Sequence, residues 1–152
     1  MKAEVDILIN APREKVWSII TDIDGSMNTI SGIEAVEVLD RPAEGLVGLK
    51  WKETRTLFGR TATEIMWITE VDENRSYNTR AESHGAIYKT QLVLADADDK
   101  TRLSMTFNGE PQSFGAKIMS AITGPFFNNA TKQALIQDLE DIKAAAESGS
   151  PM

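Results

Sequence analysis

The chain contains no cysteine and a single histidine in 152 residues. The first absence removes disulfides, thiolate nucleophiles and thiolate metal sites together. With His84 as the one imidazole, a zinc, copper or haem site also lacks nitrogen donors. Cations are scarce too: 16 Lys and Arg stand against 23 Asp and Glu, a formal net charge of −7. Such a surface does not suit nucleic acid, whose phosphates demand cations, and gives no charge-driven attraction to anionic lipid. No run of about 18 apolar residues occurs, so no membrane-spanning helix is predicted. The N-terminus lacks the basic-then-apolar pattern of a secretory signal, so the glycosylation patterns at Asn74-Arg75-Ser76 and Asn129-Ala130-Thr131 are taken as chance. There is no GxSxG elbow, no GxxxxGK[ST] loop and no GxGxxG after a strand. The expectation left is a cytoplasmic protein without metal or cofactor, whose partner is a small or apolar molecule. Ligand identity and oligomeric state are not legible.

What is present is a sheet framed by helices. Val5, Ile7 and Ile9 alternate with Glu4, Asp6 and Asn10, the period of a half-buried strand. Pro12 suits a helix's first turn, where its missing amide would have no partner, and Val16, Trp17 and Ile20 recur at helical spacing. A short second helical turn follows over Met27 to Ile30. Six further strands are predicted: Ile33–Leu39, Leu46–Leu57, Thr61–Val71, Arg75–Glu82, Ala86–Ala95 and Thr101–Asn108. Turn residues between neighbours mark an antiparallel meander. His84 beside Gly85 reads as a surface turn, and Asp96-Ala97-Asp98-Asp99 as a solvated hairpin loop without the spacing of a calcium site. A helical piece over Ser113–Ile122, a break at Gly124-Pro125, and an amphipathic helix over Pro125–Glu147 complete the pattern. Phe127, Thr131, Leu135, Leu139, Ile142 and Ala146 form that helix's apolar stripe. Residues 1–147 are expected to form one domain, with 148–152 as a tail.

A seven-stranded sheet with one major helix buries both apolar faces by curling around the helix, and an imperfect fill leaves a cavity. Strand parity selects the inner side chains. In the third strand Lys50, Lys52 and Thr54 oppose Val47, Leu49, Trp51, Glu53, Arg55 and Leu57. Lysines belong outside, which puts Trp51, Glu53 and Arg55 inside. Two readings of Glu53 and Arg55 stay open: a wet salt bridge at an open sheet end, or a polar site that binds something. Parity also turns Tyr77, Tyr88, Met105 and Phe107 inward. The fourth strand is ambiguous: Ile65, Trp67 and Val71 are taken as inner against Glu64 and Glu70, with a bulge to reconcile Met66 and Ile68. Met119 and Phe127 add apolar surface from the C-terminal segment. These side chains either fill a core or line a pocket of the kind that takes small molecules.

The order strand, two short helices, six strands, long helix resembles the START-like helix-grip superfamily, whose bacterial members are often labelled polyketide cyclase/dehydrase or SRPBCC domains. Its local marks are Ala11-Pro12 with Val16-Trp17, Gly48-Leu49-Lys50-Trp51-Lys52-Glu53, Glu70-Val71-Asp72, Thr101-Arg102-Leu103 and the stretch Leu139 to Lys143. The resemblance implies an α+β helix-grip fold with an apolar cavity between sheet and helix, but not one reaction. Binding or transport of a small hydrophobic or amphipathic ligand is the leading expectation. One alternative is a cyclase or dehydratase using Glu53, Tyr77 or Tyr88 for acid–base work and Arg55 to anchor a carboxylate or enolate. The other is a protein-interaction module of the chaperone-activator or quinone-handling kind.

Overall fold

The computed structural model describes residues 2–57, 60–83, 86–111 and 114–148, with the side chains of 57, 60, 83, 111 and 114–129 outside the description. His84 and Gly85, the Phe58-Gly59 turn and the last four residues therefore lie outside it. The element order is β1 (Lys2–Ile9), α1 (Arg13–Ile20), α2 (Ser26–Thr29), β2 (Ile33–Asp40), β3 (Lys50–Leu57), β4 (Arg60–Asp72), β5 (Ser76–Ser83), β6 (Ala86–Ala97), β7 (Lys100–Pro111) and α3 (Phe114–Glu147). Every strand pair is antiparallel, in the order β1-β7-β6-β5-β4-β3-β2. Strands β2 to β7 meander, and β1 closes on β7.

Local chemistry sets the ends of these elements. Ala3, Val5 and Ile9 of β1 point into the core, and Pro12 then stands as the cap of α1 with its carbonyl accepting from the amides of Lys15 and Val16. Helix α1 buries Val16, Trp17 and Ile20. The β4–β5 turn places Asn74 at φ 63° and the β6–β7 turn places Asp98 at φ 59°, a left-handed conformation that these two residue types tolerate better than other non-glycine residues.

Helix α3 is held at both edges of the curled sheet. At the β1 edge Lys143 Nζ donates to the carbonyl of Leu8 at 3.1 Å, and the Asn10 amide donates to Glu147 at 2.7 Å. At the opposite edge the amide and hydroxyl of Ser31, just before β2, donate to Asp141 Oδ2 at 2.9 and 2.8 Å. Leu139, Ile142 and Ala146 of α3 pack in one cluster with Ile9, Val16, Leu94 and Leu103.

Three expectations are corrected. Helix α3 runs through Gly124-Pro125 without a break; one proline removes one backbone hydrogen bond, and the 34-residue helix continues on both sides. Strand β3 starts at Lys50 rather than Leu46, because Gly45 at φ 71° and Gly48 at φ 94° turn the chain ahead of it, and Val47 is exposed in that turn. In β4 the faces are reversed: Met66 and Ile68 point inward while Ile65 and Trp67 point outward. Directly opposed residues of an antiparallel pair share a face, and Trp51 opposes Met66 whereas Lys50 opposes Trp67. Ile68 is accordingly 1% exposed and Ile65 40%. The register shift lies between Ile68 and Glu70, which returns Val71 to the inner face opposite Tyr77.

Candidate functional site

Along the strands the inner face divides into two ends. At the end where β6 and β7 pair Leu94 with Leu103, Ile9, Val16, Leu103 and Leu139 are closed off from solvent. At the other end the inner rows run from β3 to β6 as Trp51–Met66–Ala81–Tyr88 and, further out on β3 and β4, Glu53–Glu64. Met66, Tyr88 and Phe107 there are only partly buried, and Tyr88 stacks on Phe107 with ring centroids 5.6 Å apart.

Arg55 organises the polar part. Its Nη1 donates to both carboxylate oxygens of Asp138 at 2.9 and 3.0 Å, and its Nε donates to Glu53 Oε2 at 3.3 Å. Trp51 Nε1 donates to the other Glu53 oxygen at 3.3 Å. The side chains of Arg55, Glu53 and Asp138 are 21%, 12% and 9% exposed, so this is no wet surface bridge. Burial works against the charge on Arg55, but the carboxylates of Asp138 and Glu53 together outweigh it and hold the guanidinium more firmly protonated than usual. Burial pushes the Asp138 carboxyl above the ordinary carboxylate range, and the Arg55 charge only partly offsets it.

Two tyrosines differ in availability. Tyr77 is 6% exposed, packs edge-on against Trp17, and donates its hydroxyl to the carbonyl of Ile20 at 2.9 Å. Burial and the nearby Glu53 charge push that hydroxyl's pKa up, so it is a fixed structural donor. Tyr88 is only partly buried, and burial together with the Glu64 charge pushes its pKa up as well. Glu64 escaped the sequence reading, which sent it outward. It stands directly across from Glu53 on the inner face, and its Oε2 is buried with no hydrogen-bond donor among the described residues. Met105 is buried behind this row. Trp67 is removed from the candidate set: it lies on the outer face beneath Lys50, whose Nζ sits 5.8 Å from the ring centroid. Met119 and Phe127 lie outside the described side chains.

A concavity of about 440 Å³ lies on the outer face of β4–β7, lined by Asn78, Arg80, Lys89, Gln91, Thr106 and Asn108 among others. It is separated from the acidic cluster by the sheet itself, and its lining residues are all polar or charged. Among the described residues, no cluster of three or more His, Asp or Glu has a metal-holding arrangement, and no helix is long and apolar enough to cross a membrane.

A seven-stranded antiparallel sheet curled around one C-terminal helix defines the helix-grip class of α+β domains. The chain belongs to the polyketide cyclase/dehydrase and lipid transport family, whose pattern matches residues 1–147. Solved structures share the fold. A protein from Thermus thermophilus is 17% identical, with 99% of each chain covered and a TM-score of 0.83. A START superfamily protein from Mycobacterium smegmatis is 15% identical, with 97% of each chain covered and a TM-score of 0.81. The Zhui aromatase/cyclase from Streptomyces sp. R1128 is 16% identical, with 97% of this chain and 93% of that one covered and a TM-score of 0.70. A comparison with curated proteins returned no match. Family and fold together support a ligand-binding or cyclase role.

Proposed function

We propose that residues 1–147 form one unit that binds a small amphipathic molecule between the sheet and α3. The apolar body would lie against Trp51, Met66, Tyr88 and Phe107, and the polar group against Glu53 and Glu64. Met105 and Tyr77 would back this wall from within the core. Arg55 would hold Glu53 and Asp138 in place. The observation that carries this reading is the asymmetry of the inner face. A filled core closes its side chains off, as around Leu103 and Leu139, whereas Tyr88 and Phe107 stay partly accessible beside a buried, unpartnered carboxylate oxygen. Apolar walls with a few convergent polar groups are the usual build of a small-molecule site.

The test is titration with N-phenyl-1-naphthylamine, a neutral apolar dye. It should brighten on binding, and Tyr88→Ala should weaken it, since a half-buried ring can be removed without collapsing the core. An absence of enhancement at every dye concentration would sink the reading.

A second reading, catalysis of the cyclase or dehydratase kind, is favoured by Glu64 and Tyr88. A carboxylate with a free oxygen can take a proton next to a ketone, while a tyrosine kept protonated can donate to the carbonyl oxygen. Glu64→Gln should then abolish turnover of a linear poly-β-ketone yet keep dye binding; turnover equal to the unmodified protein removes Glu64 from any chemistry.

A further inference from the structure

The charge count at this site bears on which ligands it accepts. Three carboxyl groups, Glu53, Glu64 and Asp138, share the β3–β4 end of the inner face with one guanidinium, Arg55. That guanidinium already donates to two of the three. No other Lys or Arg among the described residues forms an ion pair with any of them. Asp141, one turn along α3, adds further negative potential at Asp138. Three carboxyl groups around a single guanidinium make the site acidic. Glu64 carries the excess most directly, because its buried Oε2 accepts nothing from the described residues while Glu53 has Trp51 and Arg55 as donors.

We propose that this site selects ligands whose polar end donates hydrogen bonds, a hydroxyl or a protonated amine, and rejects carboxylates. The inference rests on the binding reading above and supplies its ligand class. It reverses the expectation that Arg55 anchors an acidic group: a ligand carboxylate would have to displace Asp138 or Glu53 from the guanidinium and meet Glu64 at close quarters. In a partly desolvated site like charges repel strongly and an unpaired carboxylate is costly to hold. A donor headgroup instead satisfies the free acceptor of Glu64 with a charge-assisted hydrogen bond, stronger than a neutral one.

The experiment compares three ligands with one apolar body: 2-naphthoate, 2-naphthol and 2-naphthylmethylamine, titrated calorimetrically with and without the neutral dye N-phenyl-1-naphthylamine. The expected order is amine and naphthol well ahead of naphthoate, all competing with the dye. Glu64→Gln keeps the side chain's volume and removes one charge. It should weaken the amine about tenfold, equivalent to ~1.4 kcal/mol, strengthen naphthoate, and change the uncharged dye far less than the amine. If the dye binds but naphthoate competes as well as the amine, the selectivity is refuted and the binding site stands. If the order holds but is untouched by Glu64→Gln, it arises from the overall charge of the protein and the proposal also fails. If the dye does not bind at all, the binding reading itself falls.

Discussion

Arg55 shows what a single residue can be tied to. Its contact to Asp138 crosses from β3 to α3 while its contact to Glu53 stays within β3, so truncating it strands two carboxylates in a largely buried setting. Arg55→Met should therefore destabilise the protein by about 3 kcal/mol or more, read as a lower urea midpoint, and would make a poor probe of ligand binding. A change under about 1 kcal/mol would mean the cluster is solvated like a surface pair. Asp138 also predicts a pH trend. Its folded-state pKa is raised, chiefly by burial, so its contribution to stability is present below the unfolded value of about 4 and is lost as pH rises through the folded value. Lowering the pH from neutrality toward that range should thus favour the unmodified protein over Asp138→Asn in paired urea titrations. The opposite drift would show that the Arg55 interaction outweighs desolvation.

At the scale of elements, buried hydroxyls join the N-terminal helix region to the sheet. Tyr77 on β5 donates to Ile20 at the end of α1, and Thr101 on β7 donates to the carbonyl of Ala11 just before it at 2.8 Å. Tyr77→Phe leaves one buried carbonyl without its donor, and a cost of about 1–2 kcal/mol is expected from thermal or urea unfolding; a neutral effect would mean water replaces the phenol. These same elements show what could be read from sequence. Parity located Trp51, Tyr77, Tyr88, Met105 and Phe107 because lysines, arginines or amides flag the outer face of β3, β5, β6 and β7. It failed in β4, where large apolar residues occupy both faces and the register shift after Ile68 breaks the alternation. The rule that charge points outward then misplaced Glu64. Its directly opposed partner Glu53, already assigned inside, holds the information, but only once the strand register is known. Asp138 had a signal of its own: it sits three residues after Leu135 and four before Ile142, within the apolar stripe of α3, and an acid on such a stripe calls for a buried cation.

Across the whole molecule, stability and binding are concentrated at opposite ends of one sheet. The end where Leu94 pairs with Leu103, with α1 and the C-terminal half of α3, holds the fully closed side chains Ile9, Val16, Leu103 and Leu139. On β3 and β4 Trp51 and Ile68 are closed too, but further along Met66 and Glu64 are only partly buried, and β2 beyond them is an edge strand with mostly exposed side chains. Local opening follows the density of buried apolar contact. Amide hydrogen exchange should therefore be slowest at Leu94, Leu103 and Leu139 and faster by orders of magnitude through β2 and β3. A ligand held by the inner face adds contacts only at the second end. Saturation with N-phenyl-1-naphthylamine should slow exchange in β3 and β4 around Glu53, Glu64 and Met66, while the Leu94–Leu103 ladder, opening only with global unfolding, shifts by no more than the overall gain in stability. Protection confined to the outer-face residues Asn78, Lys89 and Gln91 would place the dye in the polar concavity instead, and would move the ligand site to the other side of the sheet.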